Sequence, residues 1–204
     1  EKKKELRIAG LLHDSGHGPF SHTSERIAQK EGINHEDLSC RVVDQLADRF
    51  SVNPGRVKDI IQGDIELGSI VAGDIDADRM DYLVRDAHSS GLEHGNIDIA
   101  TITRLAGIDS GRGVFDSKAE QVLESLFTAR FHMIRSLYKH HACMIAHKML
   151  QRAIENYLQE GNSIEEFMRL DDYQAHNALL DSNGRSRRLY RSVKDRDLYK
   201  SLRE

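Results

Sequence analysis

Apolar residues recur along this chain at three- and four-residue spacing, and strand-like alternation is scarce, so its elements read as helices. Leu6, Ile8, Ala9, Leu11 and Leu12 mark the end of a helix over residues 5–14, stopped by the turn Gly16-x-Gly18-Pro19. Leu38, Val42, Leu46 and Phe50 line one side of an amphipathic helix over 37–50. Pro54 opens the next, which carries Val57, Ile60 and Ile61, in the N-terminal slot that tolerates proline. A further helix is expected from Ala77 to His88, then a loop with Gly91 and Gly95, then a short helix from Asp98 to Ala106.

The Gly-rich stretch Gly107 to Phe115 fits a small hairpin. Ser117-x-x-Glu120 has the capping-box pattern and leads into a periodic run to about Gln159, long enough for two helices end to end. Leu123, Leu126, Phe127, Ile134, Leu137 and Met144 form its apolar stripe, on which Arg130 and His141 also fall. Charge on such a stripe is costly unless paired, and a phosphate site would explain it. Residues 163–204 read as short helices. The fold class is all-α.

Composition narrows the function. The 204 residues are 39% hydrophobic and 30% charged, too apolar for a disordered chain and too polar for a membrane protein. No apolar run approaches the ~20 residues needed to span a bilayer. The net charge of −4 argues against a protein built mainly to coat DNA, although residues 185–204 hold eight Lys/Arg against three Asp/Glu. A nucleic-acid role for that tail would show as steeply salt-dependent binding. Cys40 and Cys143 stand alone, outside any CxxC pattern, so a thiolate zinc site is not expected and a reducing cytoplasm is the natural location.

Eleven histidines point instead to a site, four of them between His13 and His35. The informative segment is Leu12-His13-Asp14-Ser15-Gly16-His17-Gly18-Pro19-Phe20-Ser21-His22. Adjacent helical residues point about 100° apart, a divergence that suits two neighbouring positions on one metal ion. An imidazole and carboxylate set without sulfur fits Mn, Fe, Co, Ni, Zn or, less readily, Mg. The glycines let the backbone turn and present His17 and His22 from a loop.

His13-Asp14-x-Gly-His17-Gly-Pro-Phe-Ser-His22 resembles the signature of HD-domain phosphohydrolases, in the branch that contains the deoxynucleoside triphosphate triphosphohydrolases. The block Ile75-Asp76-Ala77-Asp78-Arg79-Met80-Asp81-Tyr82-Leu83-Val84-Arg85-Asp86 is similar to the same branch in order and spacing, as are Arg130, Tyr138 and His140 and, more weakly, Arg196-Asp197-Leu198-Tyr199-Lys200. The resemblance implies an HD-domain helical bundle over residues 1–160 with a C-terminal helical extension over 161–204 packed on it.

By the same resemblance His13, Asp14 and Asp78 are metal ligands, and His17, His22 and His35 line the catalytic pocket with Glu25 supporting a histidine. Attack at the α-phosphorus would release a deoxynucleoside and triphosphate, with His22 or His17 handing a proton to the departing sugar oxygen. Arg79 and Arg130 would clamp phosphate oxygens. Asp78, Tyr82 and Asp86 fall within roughly 80° on one helical face. The resemblance puts Tyr82 beneath the sugar, where a 2′-hydroxyl would clash, and lets Asp86 accept from the 3′-hydroxyl. Tyr138 and His140 complete the substrate contacts. Helical geometry brings His141 nearer Arg130, whereas the resemblance selects His140.

Arg196 and Lys200 would touch an activating nucleotide in a homo-oligomer. The family also draws one more histidine ligand from an upstream helix. Twelve residues precede His13 and none is histidine, so the chain is expected to lack its N-terminal helices. Two other functions use the same residues differently: an HD nucleotidase or phosphodiesterase on another phosphate ester, which would not need both arginines, and a non-catalytic nucleotide-sensing module, which need not hold stoichiometric metal. His88, His94, His132, His147 and His176 have no motif around them and are read as structural.

Overall fold

The computed structural model describes residues 1–65 and 67–200. Among them the chain forms α1 (Lys2–Leu12), α2 (His22–Ala28), α3 (His35–Leu46), α4 (Pro54–Ile61), α5 (Gly68–Val71), α6 (Ala77–Ser90) and α7 (Ile99–Leu105). The hairpin β1 (Ala106–Asp109) and β2 (Arg112–Phe115) follows, then α8 (Glu120–Met133), α9 (His141–Gln159), α10 (Ile164–Phe167), α11 (Asp172–Asp181) and α12 (Gly184–Lys194). The fold is all-α apart from that hairpin, as the periodicity predicts. No described helix is long and apolar enough to cross a membrane. The basic stretch 185–204 ends outside the described residues, at 201–204.

Local chemistry explains most element starts. Asn53 accepts hydrogen bonds from the Gly55 and Arg56 amides ahead of Pro54 at the first turn of α4. Asp76 does the same for α6, taking the Arg79 amide, and Gly91 ends that helix in the left-handed region at φ 71°. The hairpin turns through Ser110 and Gly111, both with positive φ, so the two-residue turn matches the strand twist. The expected Ser117–Glu120 capping box does not form. Asp116 caps a short 3-10 turn over Ser117–Ala119 instead, through the Lys118 amide, and α8 begins behind it with no side-chain cap.

The long periodic run is two helices, and the junction corrects the stripe. Ile134–Tyr138 forms a π-turn, and His140 then adopts an extended conformation as the N-cap of α9. The wider π-turn shifts the helical phase. Leu126, Ala129 and Met133 are therefore the buried face of α8, and Met149, Ala153 and Ile154 that of α9, while Phe127 and Met144 are exposed. His141 is exposed at the first position of α9, so the spacing that would relate it to Arg130 does not continue across the break.

Two compact units divide the chain, Glu1–His13 with Ser39–Tyr138 and Asp14–Leu38 with the segment from Lys139 onward. In the first, Ile8, Ala9 and Leu12 of α1 pack with Val43, Val57, Ile60, Leu67 and Val71, and a smaller cluster joins Leu83, Ala87 and Met133. Its buried Glu5 is paired with Arg56 Nε at 2.9 Å, as a buried charge requires. In the second, Ile27 and Ala28 of α2 meet Ala153 and Ile154 of α9 together with Phe167, Ala175, Leu179 and Leu189.

Gly95 shows how tightly the first unit is packed. A Cβ there would stand 2.5 Å from Ala87 Cβ and 2.6 Å from the Leu83 carbonyl oxygen, atoms fixed by α6. Gly95→Ala is expected to cost about 2–3 kcal/mol, the usual penalty of overpacking. Gly10→Ala, in α1 with nothing within 4 Å, should be neutral or stabilising. Urea unfolding of the two variants checks the contrast.

Candidate active site

In the first unit, the C-terminal end of α1 presents His13. Its Nδ1 lies 3.0 Å from the Gly10 carbonyl oxygen, and a carbonyl only accepts, so Nδ1 carries the proton and Nε2 of the neutral ring keeps its lone pair. The Ser39 hydroxyl donates to the His13 carbonyl at 2.6 Å and fixes the backbone. Nε2 then faces Asp78 Oδ1 at 3.8 Å. Two ligands each about 2.1 Å from one ion stand roughly 3.0–4.2 Å apart, so this donor pair fits a shared cation. The set is nitrogen and oxygen only, suited to a divalent first-row ion or Mg.

Asp78 sits on the first turn of α6, whose start is fixed by Asp76. The Asp76 carboxylate accepts from the Gly73 amide at 2.7 Å and the Arg79 amide at 2.5 Å. The Arg79 guanidinium donates to the Asp74 carbonyl and lies 3.7 Å from Asp76 Oδ2, while its Nε is buried without a partner among the described residues. Further along the helix, Asp86 Oδ2 accepts from the Tyr138 hydroxyl at 2.7 Å, and the Tyr82 and Tyr138 rings meet edge to face at 6.1 Å. Burial, then the Asp86 bond and charge, push the Tyr138 phenol well above its usual value, so it stays a donor. Arg130 is half-buried on α8.

The second unit gathers the other histidines around one carboxylate. His22 Nδ1 lies 3.2 Å from Glu25 Oε2, and His35 Nδ1 bonds Glu25 Oε1. The His17 ring stacks on His35 at 4.1 Å and stands edge-on to His22 at 5.1 Å. His17 Nε2 is 3.6 Å and His35 Nε2 4.0 Å from Asp14 Oδ1. An ionised carboxylate only accepts, so Glu25 holds a proton on Nδ1 of both imidazoles, and each Nε2 is a lone pair in the neutral ring or a donor in the imidazolium.

Burial pushes the Glu25 carboxyl up, but the His22 and His35 hydrogen bonds and the nearby imidazole charge outweigh it and hold it below the ordinary carboxylate value. Burial, then His35, lowers His17 against the opposing pull of Asp14 and Glu25. Donor atoms of Asp14, His17 and His35, and of His17, His22 and Glu25, lie close enough to share an ion.

His35 is also a helix start, with Asn34 accepting from the Glu36 amide at 3.0 Å. His22 is presented by a strained turn. Phe20 and Ser21 both have positive φ, at 58° and 42°, a conformation that costs non-glycine residues of order 1–3 kcal/mol each.

Other expected site residues lie elsewhere in this unit. His140 is exposed at the start of α9, its ring 4.3 Å from that of His141. Arg196, at φ 59°, and Lys200 are exposed after α12. A cavity of about 780 Å³ beside α9 and α12 is lined by Lys148, Arg152, Arg185 and Tyr199 among others, and by none of the expected site residues. Sequence reasoning missed two residues that touch the His22 turn. Asp172 accepts from the Phe20 amide across 152 positions, and His147 Nδ1 lies 3.1 Å from Thr23 Oγ1 across 124. No local pattern signals either.

Known families cover nearly the whole chain: the HD domain matches residues 1–86 and the HD associated region residues 97–203. A crystal structure of a phosphohydrolase from Bacteroides thetaiotaomicron superposes with a TM-score of 0.79 at 27% identity, over 96% of this chain and 57% of that one.

The chain belongs to the HD-domain phosphohydrolase family.

This HD-domain chain is 35% identical over 202 residues to an uncharacterized protein of Methanocaldococcus jannaschii, covering 96% of this chain and 43% of that protein. It is 27% identical over 231 residues to a deoxynucleoside triphosphate triphosphohydrolase SAMHD1 homolog of Dictyostelium discoideum, covering 100% of this chain and 45% of that protein. It thus spans less than half the length of these two relatives.

Proposed function

We propose that this chain carries the metal-dependent centre of a dNTP triphosphohydrolase, releasing deoxynucleoside and inorganic triphosphate. The observation that carries the hydrolytic reading is the His13–Asp78 pair, an imidazole nitrogen stripped of its proton by the Gly10 bond and turned toward a carboxylate at 3.8 Å. His13, Asp14 and Asp78 would hold the ion. When bound, a divalent ion there supplies Lewis acidity at phosphate and a water activated near neutral pH.

The chain's own residues do the rest. Tyr138 occupies Asp86 Oδ2, which fixes the carboxylate and turns Oδ1 to a sugar 3′-hydroxyl. Tyr82 packs beneath the sugar and leaves no room for a 2′-hydroxyl. Arg79 and Arg130 take phosphate oxygens, with Arg79 exchanging the Asp74 carbonyl for the ligand. His22, protonated on both nitrogens with its Nδ1–H given to Glu25, would hand the Nε2 proton to the departing sugar oxygen. Its side chain is 77% exposed and open to substrate, whereas that of His17 is 10% exposed and stacked on His35. On the same reading His140 borders the substrate, and Arg196 and Lys200 meet an activating nucleotide in a cytoplasmic homo-oligomer.

A second reading, hydrolysis of another phosphate ester, is favoured by the tie between Arg79 and Asp74, which a less anionic substrate need not break. Product chromatography after incubating the metal-loaded protein with each dNTP separates the two. Deoxynucleoside and triphosphate, with the matching ribonucleotides left intact, are expected. Release of orthophosphate or pyrophosphate would favour the second reading.

A further inference from the structure

We infer that Asp172, at the first position of α11, is a positioning residue for His22, acting through the strained turn that precedes it. The inference rests on the reading of His22 as the proton donor.

Phe20 and Ser21 both have positive φ, and Ser21, with ψ −113°, falls outside the common backbone wells. Such a backbone persists only where its surroundings hold it. The turn's own bonds are local: the Ser21 amide donates to the Gly18 carbonyl at 3.1 Å, the Thr23 amide to the Phe20 carbonyl at 3.0 Å, and the Ser21 carbonyl accepts from the Glu25 amide and the Ser24 hydroxyl, each at 3.1 Å. The remaining restraints come from the C-terminal half of the same unit. The Phe20 N–H donates to Asp172 Oδ1 at 2.8 Å, the Phe20 ring lies 6.1 Å from that of Tyr190, and a Cβ on Gly18 would meet Met168 Sδ at 2.6 Å. Of these, the Asp172 bond is the charge-assisted one, and it acts on the strained residue itself.

Asp172 has no such duty in its own helix. The capping box of α11 is complete without it: Asp171 Oδ1 accepts from the Gln174 amide at 2.7 Å, and Gln174 Oε1 accepts from the Asp171 amide at 3.0 Å. The second carboxylate of the Asp-Asp pair is therefore spare for capping and reaches sideways to Phe20. Losing it leaves the Phe20 N–H to water, lets the turn relax toward ordinary φ, and moves the first residue of α2. That residue is His22, whose ring must keep its Glu25 bond to aim Nε2.

The test compares Asp172→Ala, Asp172→Asn and Asp171→Ala in the full chain. Asp172→Ala is expected to lower kcat at least tenfold with KM within twofold. Asp172→Asn, which keeps an oxygen acceptor, should recover to within threefold of wild type. Asp171→Ala weakens α11 without touching Phe20 and should leave kcat within twofold. Ring 13C–1H correlations of labelled histidines give a readout independent of turnover: the His22 signal should move in Asp172→Ala while that of His13 stays. An unmoved His22 signal overturns the inference, as does an equal loss of kcat in Asp171→Ala. Wild-type protein that turns over no dNTP would instead sink the functional reading, and the His22 signal would still decide the role of Asp172.

Discussion

Asp78→Ala is expected to lower dNTP turnover about 1,000-fold, equivalent to about 4 kcal/mol of transition-state stabilisation, while the protein stays folded. The residue faces His13 Nε2 at 3.8 Å, and its removal leaves that nitrogen without the carboxylate of the proposed cation site. Folding should survive because the Asp78 side chain is 39% exposed and the start of α6 is capped by Asp76, not Asp78. A melting temperature within about 3 °C of wild type would match the small effect of a half-exposed polar change outside any cap. Steady-state kinetics with saturating metal, beside a thermal melt, check both halves. Turnover retained in a folded variant would remove Asp78 from the chemistry.

Glu25→Gln is expected to cost about 100-fold in kcat, the upper range for a residue that orients functional imidazoles from behind. The buried carboxylate accepts from His22 Nδ1 with one oxygen and from His35 Nδ1 with the other. An amide offers one acceptor and one donor, so one of the two N–H groups would face an NH2. Either that histidine gives up its Nδ1 proton, and can no longer carry protons on both nitrogens, or it turns away. A buried donor left unpaired also costs about 1–3 kcal/mol of stability.

The pH dependence carries its own sign. The histidine bonds outweigh burial and hold the folded Glu25 value below the ordinary 4.5, so its contribution is present above that pH and is lost as pH falls through the folded value. The glutamine variant should lack this acid-labile part. Urea unfolding at pH 7 and pH 4 measures it.

What was legible in the chain was local. The helix opened by Pro54, the helix from Ala77 and the hairpin within 107–115 are each set within a few residues, and periodicity with turn residues suffices to place them, whereas the Asn53 and Asp76 caps and the Ser110-Gly111 turn come from the structure. The His13–His22 signature was legible for the same reason, since one helix end and one turn carry it. The α8–α9 stripe failed where periodicity assumes an unbroken helix: the π-turn at Ile134–Tyr138 carries no distinct sequence mark, so Phe127 and Met144 read as core and are exposed.

Pairings between distant positions were hidden for another reason. Glu25 with His35, Tyr138 with Asp86 and Asp172 with Phe20 are made by tertiary packing, and only the resemblance hinted at the first. Ser117 shows the limit even at short range. Asp116, one residue earlier, takes the turn before the Ser117–Glu120 box can form.

The cation proposed for His13, Asp14 and Asp78 is central to the proposed activity, and Mn2+ titration followed by electron paramagnetic resonance tests it most directly. Wild type should bind one ion per chain tightly. His13→Ala and Asp78→Ala should each abolish that binding, and His22→Ala should keep it. Tight binding that survives Asp78→Ala but disappears in His22→Ala would place the ion on the His17, His22 and Glu25 group instead and contradict the assignment.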